Sequence, residues 1–145
     1  MDYNNFSIVS NSETETTFVS KDFANNLKDG DIILLSGDLG AGKTVFTKGI
    51  SKGLGIDESV VSPTFTIENV YSGGKLNLKH MDLYRLNSFE EFESTGAYED
   101  LFNGGVCVIE WPEVIGFDCF PKYSYVVKIT KLTETTRKIE IRRND

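Results

Sequence analysis

The chain has 145 residues, with 15 Lys and Arg against 22 Asp and Glu, a formal net charge of −7 and 39% hydrophobic residues. That length suits one domain, and the apolar content is enough to pack a core, which excludes a disordered chain. The acidic balance opposes direct, tight RNA binding by this chain alone, and no apolar run approaches the roughly 20 residues of a membrane span. Along the chain, Phe6 to Val9 reads as a short strand, and Ser12-Glu13-Thr14-Glu15 has the spacing of a capping box that opens a helix. Phe18, Val19, Phe23, Ala24 and Leu27 recur at three-to-four spacing and predict that helix's apolar face, ended by Lys28-Asp29-Gly30. Ile32 to Leu35 is a continuous apolar run, as expected of a strand buried on both faces of a parallel sheet.

A helix is predicted from Lys43 to about Leu54, with Gly53 and Gly55 as its exit, and Ser62-Pro63 breaks the chain again. Thr64 to Tyr71 and Leu76 to Asp82 read as two strands joined through Gly73-Gly74, an antiparallel hairpin. Ser88-Phe89-Glu90-Glu91 is a second capping box, opening a short helix before Asn103-Gly104-Gly105. Val106 to Ile109 is another buried-strand run, followed by Glu110-Trp111-Pro112. Tyr125 to Ile129 and Lys138 to Ile141 predict a terminal hairpin. Cys107 and Cys119 lie in apolar surroundings without metal-site spacing and are expected to be buried thiols. The N-terminus lacks the basic-then-apolar build of a signal peptide, so a cytosolic location is expected. The expected fold is α/β, one P-loop NTPase-type three-layer domain over 1–145 with a mixed sheet of parallel core and antiparallel hairpins.

Gly37-Asp38-Leu39-Gly40-Ala41-Gly42-Lys43-Thr44 matches G-x-x-x-x-G-K-[ST] in full, between a predicted strand and a predicted helix. Glycines at these places let successive N–H groups curl towards phosphate oxygens, and the helix N-terminus adds partial positive charge. Lys43 is expected on the β- and γ-phosphates, and Thr44 on Mg²⁺, which needs only one or two protein oxygens. Nucleotide hydrolysis also calls for a carboxylate at the end of a neighbouring strand. Glu110 and Asp82 both qualify, each at the carboxyl end of a predicted strand. Ser62-Pro63-Thr64-Phe65-Thr66 occupies the place of a switch loop, where Thr64 and Thr66 offer hydroxyls to metal or phosphate. His80, the one histidine, reads as packed or hydrogen-bonded rather than catalytic, and Trp111 as either core or contact surface.

The Asn-Lys-x-Asp element of guanine-specific P-loop proteins does not occur, which favours ATP. Arginines are confined to Arg85, Arg137, Arg142 and Arg143, which disfavours the arginine-bearing lid of a small-molecule kinase. With the phosphate loop, Ser62 to Thr66, His80-Met81-Asp82-Leu83-Tyr84-Arg85-Leu86 and Ile109-Glu110-Trp111-Pro112, the chain resembles the TsaE (YjeE) family of bacterial tRNA threonylcarbamoyladenosine synthesis. Met81 stands where members commonly have an aromatic residue, and the last thirty or so residues resemble the family only loosely. The resemblance implies a slow accessory ATPase that binds where TsaB meets TsaD and resets the complex between rounds, tRNA being met only through those partners. It also implies that Thr44 and Glu110 serve the metal, that Asp82 and Trp111 support hydrolysis, and that Glu13 and Thr14 approach the nucleotide. A small-molecule kinase and a nucleotide-gated interaction module without useful hydrolysis are the competing readings.

Overall fold

The two apolar runs, Ile32–Ser36 (β2) and Val106–Glu110 (β5), lie side by side and parallel at the middle of one sheet. The computed structural model describes residues 2–63 and 66–145. Among these, the strands are β1 (Asn5–Ser10), β2, β3 (Glu68–Tyr71), β4 (Leu78–Asp82), β5, β6 (Tyr125–Lys131) and β7 (Arg137–Arg143). They form one sheet in the order β1-β7-β6-β2-β5-β4-β3. The inner four, β6-β2-β5-β4, are parallel, while β1, β7 and β3 pair antiparallel at the flanks. The fold is therefore α/β with a mixed sheet, as the alternation of apolar runs and helical patterns implies.

Helices α1 (Glu13–Ala24) and α2 (Lys43–Gly53) cover one face, where Phe23, Phe46 and Ile50 pack onto Ile33, Leu35, Val108 and Val127. Shorter helices α3 (Phe89–Ser94) and α4 (Ala97–Asp100) cover the other, closing over Ile32, Leu34, Cys107 and Ile109. Both capping boxes act as read: the Glu15 amide donates to Ser12 Oγ and the Glu91 amide to Ser88 Oγ, each at 3.1 Å. α1 and α2 touch closely because Gly49 has no side chain, and a Cβ there would meet Ser20 Oγ at 1.6 Å and the Thr17 carbonyl at 3.0 Å.

Several expectations are corrected. Phe18 is 70% exposed, because α1 turns Val19 and Phe23 inward and ends at Ala24, leaving Leu27 in the following turn. The helix after Ser88 is two, because Gly96 adopts φ +83° between them. β3 begins at Glu68, and the terminal hairpin is longer than its apolar core, running through Lys131 and from Arg137. Cys107 is buried, its thiol pushed up to about 12 by burial. Cys119 is only half-buried, with Sγ donating to the Ile115 carbonyl at 3.2 Å. No helix among the described residues is long and apolar enough to cross a membrane.

Candidate nucleotide site

The carboxyl ends of the parallel strands bring the expected site residues together. Leu35, one residue before the end of β2, stands opposite Glu110, and Glu110 opposite Asp82, so one line across three strands reaches from the phosphate-loop strand to both carboxylates. Because side chains alternate along a strand, His80, Asp82, Val108 and Glu110 share the face covered by α2, where Thr44 also lies. Glu110 is on the strand beside the phosphate loop, and Asp82 is one strand farther out.

The loop between β2 and α2 has a backbone only glycine permits at three places. A Cβ on Gly37 would lie 2.7 Å from the Ile129 carbonyl, and Gly40 and Gly42 take φ of +79° and +106°. Gly42 is also the residue from which α2 starts, so the loop delivers its amides to a helix N-terminus. The Ala41 amide bonds the Asp38 carbonyl at 3.0 Å, and Leu39 at the tip is 74% exposed. Lys43 is buried, with Nζ donating to the Gly37 carbonyl at 2.7 Å and lying 3.7 Å from the Trp111 ring centroid. Burial lowers its pKa, and Glu110, Glu113, Asp82 and Asp38 pull the other way. Thr44 Oγ1 lies 3.2 Å from Ser62 Oγ, so the segment preceding β3 begins beside the start of α2.

Glu110 is buried, and His80 Nε2, also buried, donates to its Oε2 at 2.5 Å. His80 is thus hydrogen-bonded, as its place in a strand suggested, and it orients the carboxylate. Asp82 is half-buried, with Oδ1 accepting the Tyr84 amide at 2.9 Å. Desolvation raises its pKa; the Tyr84 amide opposes the rise, Glu110 adds to it, and His80 and Lys43 oppose it. Trp111 takes a left-handed backbone, φ 59°, immediately before Pro112, a conformation that is rare for a non-glycine residue and costs on the order of 1–3 kcal/mol. It holds the indole between Lys43 and the exposed Tyr84 ring, whose centroid is 4.9 Å away. Trp111 is half-buried and lies directly against the Lys43 ammonium.

On the other side of the loop, Glu13 and Thr14 line a cleft of about 380 Å³ with Gly42, Val45, Glu134 and Arg137. Thr64 and Phe65 lie outside the described residues, so the place expected for Thr64 is not described. Thr66 turns back onto its own chain, towards the Glu68 carbonyl and Asn69 Oδ1. Two contributors escaped the sequence reading. Glu113 accepts from Ser36 Oγ at 2.6 Å and ties the end of β2 to the turn after Trp111, while Arg137 reaches the loop from β7. An acidic residue just after Trp-Pro hinted at the first; nothing local marks the second.

The set suits a polyphosphate: backbone amides at a helix start, a buried lysine and a hydroxyl at Thr44. Among the described residues no three His, Cys, Asp or Glu side chains converge on one point; Thr44 and Glu110 carry side-chain oxygens that could be offered to a magnesium ion shared with phosphates. A family model described as "Threonylcarbamoyl adenosine biosynthesis protein TsaE" matches residues 10–139. The Treponema pallidum protein named tRNA threonylcarbamoyladenosine biosynthesis protein TsaE is 45% identical over 115 residues, 79% of this chain and 84% of that one. The Bacillus subtilis protein of the same name is 50% identical over 101 residues, 70% of this chain and 63% of that one. The crystal structure of Bacillus subtilis YdiB superposes with a TM-score of 0.79 and 33% identity, covering 97% of this chain and 86% of that one. A site of this build on this fold, with a match over nearly the whole chain, makes the chain a member of the TsaE family of tRNA threonylcarbamoyladenosine biosynthesis proteins.

Proposed function

We propose that this protein binds ATP with Mg²⁺ and hydrolyses it slowly as a cytosolic accessory of tRNA threonylcarbamoyladenosine formation, acting with TsaB and TsaD. The observation that carries the reading is the line Leu35–Glu110–Asp82 beside Lys43 and Thr44: one carboxylate next to the phosphate loop, a second one strand away. Amides of the 37–44 loop hold the phosphates and Lys43 neutralises the β- and γ-groups. Thr44 and Glu110 bind the metal or its waters, which supplies Lewis-acid charge at the reacting phosphate. Glu110, buried and pinned by His80, is built for position. Asp82, with its raised pKa, is better suited to take the proton of the attacking water. Trp111 covers the Lys43 ammonium and excludes water from it. The cleft beside Glu13 and Val45 has the size of small-ligand pockets and takes the nucleoside.

ATP turnover measured with and without TsaB and TsaD tests this, alongside a search for phosphorylated metabolites. Slow hydrolysis alone that quickens with both partners is expected. Transfer of phosphate to a small molecule would replace the reading with a kinase, and binding without any turnover would replace it with a nucleotide-gated interaction module.

A further inference from the structure

We infer that Arg137 is a positioning residue for the phosphate loop, clamping two of its peptide planes from outside; this rests on the loop being the nucleotide site. Arg137 is the first residue of β7, paired with Ser10 and Lys131, at the end of the sheet where the loop lies. Its Nε donates to the Ala41 carbonyl at 2.8 Å and its Nη2 to the Gly40 carbonyl at 3.2 Å. Nη1 is held by the carbonyls of Thr133 at 2.9 Å and Thr136 at 3.0 Å, with Glu134 at 3.4 Å. The turn between β6 and β7 thus fixes the guanidinium, and the guanidinium fixes the loop across 96 residues of chain. Among the described residues no carboxylate lies within 4.0 Å of it, so the cation spends its donors on backbone oxygens.

The consequence follows from peptide geometry. In a trans peptide the carbonyl and the following amide point in opposite directions, so gripping Ala41 O aims the Gly42 N–H away from Arg137, towards the inside of the loop. Gripping Gly40 O fixes the plane that carries the Ala41 N–H, which bonds Asp38 O. Gly40 and Gly42 flank these planes at positive φ, and glycine crosses between conformations at little cost, so both planes could flip without a brace. A flip would replace an inward amide with an inward carbonyl, which repels phosphate. A cation on the two carbonyls also polarises the same peptides, making their amides stronger donors. A lysine has the charge but not the planar fork that reaches both carbonyls and the turn together.

The test compares wild type, R137K, R137Q and T133A, the last loosening the exposed turn, where Thr133 Oγ1 contacts Thr136 Oγ1 at 2.6 Å. ADP and a non-hydrolysable ATP analogue are titrated, and amide ¹H–¹⁵N spectra and melting curves are recorded without nucleotide. The expected result is that R137K and R137Q both bind about tenfold or more weaker, the scale of one lost charge-assisted hydrogen bond. T133A should lose less, and the Gly42 amide should move in both Arg137 variants even where melting temperature is little changed. Wild-type affinity in R137K would show that charge alone suffices and would overturn the clamp, as would an unmoved Gly42 amide. Failure of wild type itself to bind nucleotide would overturn the phosphate-loop reading instead, and the Gly42 shift would still decide whether Arg137 sets the loop.

Discussion

Asp82→Asn separates function from stability. The substitution keeps size and keeps an oxygen for the Tyr84 amide, 2.9 Å from Oδ1, but removes the proton acceptor. If Asp82 takes the proton of the attacking water, kcat falls by about 10²–10⁴ while nucleotide affinity stays, because the phosphates are gripped by the loop and Lys43. The pH profile gives a second signature. Burial raises the Asp82 pKa, so the acid limb of kcat should lie above the ordinary carboxylate range and should vanish or change in the variant. Stability should move the opposite way from activity. A carboxyl whose folded pKa is raised binds its proton more readily in the native state, so ionised Asp82 opposes folding at neutral pH, and that penalty is relieved as pH falls through the folded pKa. Asparagine carries no such penalty, so the variant should melt at the same or a higher temperature at pH 7. Single-turnover hydrolysis, analogue titration and melting curves check all three. Wild-type hydrolysis in Asp82→Asn, or an unchanged acid limb, would remove Asp82 from the chemistry.

Lys43→Ala should abolish ATP binding and Thr44→Ala should weaken it only when Mg²⁺ is present, both read with a fluorescent ATP analogue; unchanged affinity in the lysine variant sinks the phosphate-loop assignment. Glu110→Ala should keep ATP bound yet cut hydrolysis by about 10²–10⁴ and lower tRNA modification in a system rebuilt with the partners. Competition binding should give a partial preference for ATP over GTP, and GTP binding at least as tight counts against that. Gly49→Ala gains about 1 kcal/mol of helix propensity but forces α1 from α2 against the Thr17 backbone, so a net loss of about 1–2 kcal/mol is expected in denaturant unfolding. A variant as stable as wild type there would show that the two helices can separate freely.

What was legible in the sequence was whatever leaves a local pattern. Four-residue apolar runs marked β2 and β5, because a strand covered on both faces has no polar side to show. The capping boxes and the phosphate loop are likewise written in consecutive residues, and Glu110 could be placed beside the loop strand because it ends a buried run. Patterns with weak local signatures misled. Phe18 fits a helical spacing but falls on the outer side of α1, 70% exposed. Arg137 was invisible for a topological reason. The loop and β7 are far apart in sequence, and only the β1-β7-β6-β2 order brings that strand's first residue to the phosphate loop.

The charges around Lys43 explain why so much backbone is committed to one lysine. A buried ammonium is stable only with compensation, and here the Gly37 carbonyl and the Trp111 ring face provide it at contact distance, with Glu110, Glu113, Asp82 and Asp38 more diffusely. The indole reaches that place only because Trp111 adopts a left-handed backbone before a proline, and Glu113, bonded to Ser36, fixes the turn that follows. Energy lost at Trp111 therefore returns as an ammonium held ready at the mouth of the loop. The same arrangement places four carboxylates around a group meant for phosphate. Under the proposed function these acids repel a bare triphosphate, and Lys43 and Arg137 cannot offset them alone. Under the same proposal a Mg²⁺ ion held at Thr44, with its waters on Glu110, would balance the sum, so that nucleotide affinity would depend on Mg²⁺ chiefly through Thr44, on top of the grip of the loop amides.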